Sequence, residues 1–219
     1  MKIFDEKKLT EAEEERCIRQ LDRVSTIVDV LFALMIFRLF TLMPNPTLDG
    51  FDSSNVTEIL LTSYLNYAAI IIGLTLTLLY WGQNNTIFNN LKRTSSFHSV
   101  LTIVQVFTMM LYIYFVKLDL EMDSPLIIML AQSITLALAG FVGISAWYYA
   151  NRNNLISDKL TTKELDKIYL KIMPEPIVSV LTIPFAWFGP DIWSASWLLL
   201  VPVGMLSKYW RSKIVSRTI

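Results

Sequence analysis

The sequence predicts an all-α integral membrane protein with six transmembrane helices and both termini cytoplasmic. Three observations predict it. Of 219 residues, 53% are hydrophobic and 17% charged, with a mean hydropathy of +0.46, a balance foreign to soluble domains. Six apolar windows follow one another: Val24 to Met43, Ile59 to Trp81, Ser99 to Val116, Pro125 to Tyr149, Pro176 to Phe188 and Ile192 to Leu206. With six spans, 17 of the 19 basic residues fall on one side, as the enrichment of Lys and Arg in cytoplasmic loops requires.

The chain divides accordingly into a cytoplasmic N-terminal helix (1–23), a six-span membrane domain (24–207) and a cytoplasmic tail (208–219). Residues 5 to 23, "DEKKLTEAEEERCIRQLDR", are rich in helix formers and run without Gly or Pro into the first span, which predicts one continuous helix. The first four windows can each cross a hydrocarbon core of ~30 Å at ~1.5 Å per residue. The last two are short and carry Pro184 and Pro202. The "GPD" turn at Gly189 to Asp191 joins them as a hairpin of two spans. Trp81, Trp147 and Trp210 then mark one membrane interface and Trp187 and Trp193 the other. Removing any one span would put basic segments on both sides.

Between the fourth and fifth windows, Asn151 to Glu175 is polar and predicts a short surface helix at Thr162 to Ile172. The outer loops hold Asp49, Asp52, Asp119, Glu121, Asp123 and Asp191. They form either an acidic rim that concentrates cations or ordinary solvated loops. A lone cysteine, Cys17, excludes a disulfide framework. The first 23 residues lack the apolar core of a cleavable leader, so an uncleaved plasma or inner membrane protein is expected.

Catalysis is not expected. An intramembrane enzyme needs acids, nucleophiles or metal ligands facing each other at matched depth, whereas this chain has one histidine, His98, and no His/Cys/Asp/Glu set with ligand spacing. No cofactor, metal or nucleic-acid partner is implied. A carbonyl filter of the Thr-Val-Gly-Tyr-Gly kind is also missing. Polar residues at depth, Asn66, Thr75, Thr77, Gln105 and Gln132, read as interhelical hydrogen-bonding groups.

The first span, "DRVSTIVDVLFALMIFRLFTLMP", carries two charges, Asp29 and Arg38. Residues at i, i+3, i+4 and i+7 share a helix face. Ile27, Leu31, Leu34, Arg38 and Thr41 therefore form one stripe, and Asp22, Ser25, Asp29, Ala33 and Ile36 another. Nine residues is about 900° of rotation, so Asp29 and Arg38 point apart and cannot pair within the helix.

These motifs resemble the bacterial, single-repeat members of the transmembrane-protein-175 family of potassium channels over essentially the whole membrane region. Arg23, Asp29, Phe32, Ala33 and Leu34 align with that family's first-span signature, with Ile27 and Val28 replacing its Phe-Ser. "WGQNNTIFNNLKR" from Trp81, "WYYANRNNLI" from Trp147 and the proline-marked final hairpin follow in order. The resemblance implies a homotetramer embedded in membrane lipid and conducting potassium or other monovalent ions. The first span would line its pore, with a hydrophobic constriction at Leu34, and Leu31 beside it, in place of a carbonyl filter. Ile27, Arg38 and Thr41 would lie along the pore. Asp29 would brace the pore helix, with Arg23, Trp81, Asn84 and Asn85 as its partners, because a buried carboxylate without partners is neutralised.

Arg38 conflicts with this. Four guanidinium groups ~6 Å from an axis would repel a cation by about 11 kcal/mol in total at an effective dielectric near 20. Three arrangements remove the conflict: Arg38 snorkels past Thr41 to the outer interface; it pairs with Asp49, Asp52 or Asp119; or the pore passes anions, or nothing. An anion-permeable pore, and a non-conducting scaffold that recruits a partner through its N-terminal helix, are therefore the alternatives. A transporter is disfavoured, since no pair of spans carries the matched Gly/Pro interruptions of two repeats.

Overall fold

The computed structural model describes residues 10–43, 64–122 and 124–216, with side chains for 10–43, 67–122 and 124–213. Asp49, Asp52, Glu58, Asp123 and the side chain of Asn66 lie outside these residues. The described chain is helical, and its one extended pairing is an isolated antiparallel bridge, Leu91 with Ile156.

Helix α1 (Glu11–Phe40) runs unbroken for 30 residues, about 45 Å. A capping box starts it: the Glu13 carboxylate accepts from the Thr10 backbone N–H at 2.8 Å, and the Thr10 hydroxyl accepts from the Glu13 N–H. Its buried residues, Leu21, Val24, Val28, Phe32, Met35 and Leu39, recur every three or four positions. That is one stripe facing the core. Helices α2 (Tyr64–Phe88), α3 (Ser96–Glu121) and α4 (Leu126–Arg152) follow. The α3–α4 turn is short because Ser124 adopts φ 53° and Pro125 caps α4.

Next come α5 (Thr162–Ile172), the surface helix expected from the sequence, and α6 (Pro174–Thr182) with a 3₁₀ extension (Ile183–Phe188). Gly189 turns the chain at φ 101°, a conformation other residues rarely adopt. Helix α7 (Pro190–Ser196), a 3₁₀ turn (Trp197–Leu199) and α8 (Leu200–Ser216) complete the chain. Ser96–Glu121, Leu126–Arg152 and Thr162–Phe188 are three segments long and apolar enough to cross a membrane. The last hairpin is thus built of broken helices, and α8 passes without interruption through position 207.

Helix α4 is the hub. It packs most extensively on α3 and then on α6, and small residues permit this. A Cβ on Gly140 would stand 2.5 Å from Pro176 Cβ and 2.8 Å from the Tyr80 hydroxyl, and one on Gly143 would stand 2.4 Å from the Gln105 amide nitrogen. Tyr80 exploits that closeness by donating to the Leu136 carbonyl at 2.9 Å. Two apolar clusters result. The larger joins α1, α2, α3, α4 and the final hairpin around Val28, Phe32, Tyr80 and Tyr112. A second, around Trp147, Ile168 and Ile172, seals the end where the α2–α3 and α4–α5 loops meet.

Of the polar residues at depth, Gln132 reaches across helices as expected, to Asp119 on α3, whereas two threonines do not. Thr75 and Thr77 donate to the carbonyls of Ile71 and Gly73 on their own helix, because a helical Thr hydroxyl reaches back one turn. Further interhelical bonds come from Trp193, which donates to Ser133 at 3.0 Å, and from Ser133 with Thr182 at 2.9 Å. Gln132 lies buried beside Asp119.

Candidate functional site: the faces of the first helix

The stripes of α1 acquire distinct neighbours. Taking the buried stripe through Val28, Phe32 and Met35 as centre, Asp29 and Ala33 lie roughly 100° or more to one side and Leu31, Arg38 and Leu34 roughly 60–120° to the other. The Asp29 side meets α2, where the Trp81 indole N–H donates to the Asp29 carboxylate at 2.9 Å. On the Arg38 side, α1 and α3 form a groove of about 370 Å³ whose lining includes Leu31, Leu34, Arg38, Met110 and Lys117. Opposite the buried stripe nothing among the described residues covers α1. Val30, Leu34 and Phe37 are 54%, 56% and 67% exposed there.

Of the residues expected around Asp29, Trp81 is therefore in contact. Arg23 stands exposed on α1, and the Asn84 amide, buried, donates at 3.0 Å to the Tyr80 carbonyl one turn back. Asn85 is half-buried on the same helix. Of the expected pore residues, Ile27, Leu34, Arg38 and Thr41 are exposed, whereas Leu31 is half-buried against the core. The guanidinium of Arg38 donates to the Thr41 hydroxyl at 3.2 Å, and that hydroxyl donates to the Arg38 carbonyl at 2.7 Å. The side chain thus bends along the helix toward its end.

Asp119, expected in a solvated outer loop and as a partner for Arg38, is neither. It belongs to α3 and is 5% exposed, beside Ser124 and Gln132. Glu121 and Lys117 also lie on α3 and pair at 3.3 Å. The reason is helix length: α3 continues five residues past the apolar window, and one side of that extra turn packs inward.

Sequence reasoning missed a second buried carboxylate. Glu175, at the start of α6, is 6% exposed among Gln83, Lys171 and Arg211. The Lys171 ammonium also donates to the Thr86 hydroxyl at 2.6 Å. The "PEP" at 174 to 176 was the available signal, because Pro at the first helical position with an acid in the first turn marks a helix start. Burial of that start could not be read from it. Among the described residues no cluster of His, Cys, Asp and Glu could hold a metal ion.

No family model matches the sequence, and no curated protein matches it. The structure does match a solved one. It aligns with the crystal structure of a lysosomal potassium-selective channel TMEM175 homolog from Chamaesiphon minutus at a TM-score of 0.71 and 15% identity, covering 86% of this chain and 98% of that one. The chain has the fold of that channel homolog.

Proposed function

We propose that this chain is the subunit of a cation-permeable channel with potassium as a conducted ion. In this reading it is a homotetramer in the plasma or inner membrane, with six spans per subunit, both termini cytoplasmic and α1 lining the pore. The observation that carries the reading is the bare apolar face of α1 within a fold shared with a potassium-selective channel. Three large apolar side chains exposed along one helix face are costly in a finished assembly unless lipid, another subunit or a hydrophobic pore meets them.

A narrow apolar ring passes ions only when wetted, so its radius sets conductance. Leu34 forms that ring, with Val30 and Phe37 about one turn to either side; Ile27 and Thr41 sit at the margins. Leu31, wedged toward α3, supports Leu34 from the side. The Trp81–Asp29 hydrogen bond braces the rotation of α1 at the inner end, with Arg23, Asn84 and Asn85 near it. Arg38 sits at the margin toward α3, and its bend to Thr41 draws its charge toward the end of the helix.

Purified protein in planar bilayers under a KCl gradient tests this. A reversal potential near the potassium equilibrium value supports it, and one near the chloride value overturns it. Leu34→Ala should raise conductance or alter ion preference; unchanged currents would remove Leu34 from the constriction. The alternative, an anion pore, is favoured by one observation, that Arg38 and Lys117 both line the groove. On that reading Arg38→Gln shifts the reversal potential toward cations.

A further inference from the structure

We infer that the groove between α1 and α3 is a binding site for one anionic phospholipid per chain, its acyl chain lying on the apolar floor and its phosphate held by Arg38 and Lys117. The two helices run parallel, since Glu14 pairs with Arg93 and Gln20 with Ser99, and the same offset sets Leu31 beside Met110 at one end of the groove and Arg38 beside Lys117 at the other. From Leu31 to Arg38 is about 10 Å of helix. The groove is thus graded along its length, with Leu31, Met35, Met110 and Ile113 at one end and the two cations at the other. Its volume of about 370 Å³ falls inside the ~300–1,000 Å³ typical of ligand sites.

Charge selects the occupant. A cation would be repelled by two basic side chains, and a neutral apolar molecule would leave the guanidinium of Arg38 without a counter-ion. Lys117 is already balanced by Glu121 at 3.3 Å, while among the described residues no carboxylate pairs with Arg38, whose only side-chain partner is the Thr41 hydroxyl. Among the described residues the rim therefore carries one net positive charge. A guanidinium matches a phosphate in a bidentate fork, and the groove lies on the flank of α1 between its buried stripe and its bare face. Because the charge of Arg38 would be neutralised by the headgroup, the same site relieves its repulsion of cations. The assignment of the groove does not itself depend on conduction.

Native mass spectrometry of the purified oligomer, titrated with phosphatidylglycerol or phosphatidylcholine of the same chain length, tests it. The expected result is one retained phosphatidylglycerol per chain, preferred about tenfold over phosphatidylcholine, about 1.4 kcal/mol. Arg38→Gln should abolish that preference, Arg38→Lys should lose part of it, and Met110→Trp, which fills the groove from a half-exposed position, should reduce retention of both lipids. Equal retention of the two lipids by the unaltered protein overturns the site without recourse to any variant. So does a preference that survives both Arg38→Gln and Met110→Trp, or displacement of the lipid by glycerol phosphate, which lacks the chain. An oligomer that retains phosphatidylglycerol yet passes no current would keep this site and discard the channel.

Discussion

Helices α1 and α4 are of similar length, 30 and 27 residues, yet they are used in different ways. Helix α4 is packed on most sides, and its Gly140 and Gly143 stand where the side chains of Pro176, Tyr80 and Gln105 come closest. Helix α1 buries a single stripe and leaves large side chains uncovered opposite it. The difference teaches where each helix is constrained. A substitution on α4 acts on the stability of the protomer; one on the bare face of α1 acts on whatever that face meets.

The largest effect that could break the comparison is at Gly140. Gly140→Ala drives a methyl into Pro176, a ring with no rotamer to escape by, and should cost about 3 kcal/mol, at the upper end of overpacking penalties. Thermal unfolding in detergent should fall by several degrees. Gly143→Ala meets only the Gln105 amide, a rotatable tip, so about 1 kcal/mol is expected. Equal losses at the two sites would mean that α4 does not touch α6 as closely as described.

Trp81→Phe removes the donor to Asp29 and keeps most of the ring. The contact is exposed on one side, so about 1 kcal/mol is expected, with Asp29→Asn losing a similar amount. A double variant no worse than either single one would locate the coupling in this pair. Thr10→Ala removes the capping box of α1 and should cost ~0.5–1 kcal/mol, read as lost helicity in far-ultraviolet circular dichroism. Smallest of all, Phe37→Ser on the bare face should change protomer stability by less than about 0.5 kcal/mol, as exposed positions do. A loss several times larger would show that this face is packed in the assembled protein.

Much of the architecture was legible beforehand. The first helix, which starts at Glu11 behind the Thr10 cap where the sequence suggested residue 5 (residues 5–9 lie outside the described residues), the surface helix at Thr162–Ile172 and the turn at Gly189 follow from helix formers without Gly or Pro, a polar stretch between apolar windows and a Gly-Pro step. The similarity of fold to a transmembrane-protein-175 channel was legible too, although identity with the solved homolog is only 15%. The candidate site was legible in part. Periodicity separated the Asp29 stripe from the Arg38 stripe, but could not say that Leu31 would be wedged toward α3, or that Asn84 would turn back to its own helix.

What the sequence by itself determined is everything encoded at short range: where helices start and stop, which residues share a face, and which side chains are charged at depth. The tertiary structure decided which face is covered. Asp119 and Glu175 look like loop acids in the sequence and are buried in the structure, while Phe37 looks like core and is bare. The physical reason is that a helix's periodicity sets the angles between its own residues, whereas burial depends on the direction from which a distant segment approaches. That direction is set by close contacts such as Gly140 on Pro176, which no local pattern records.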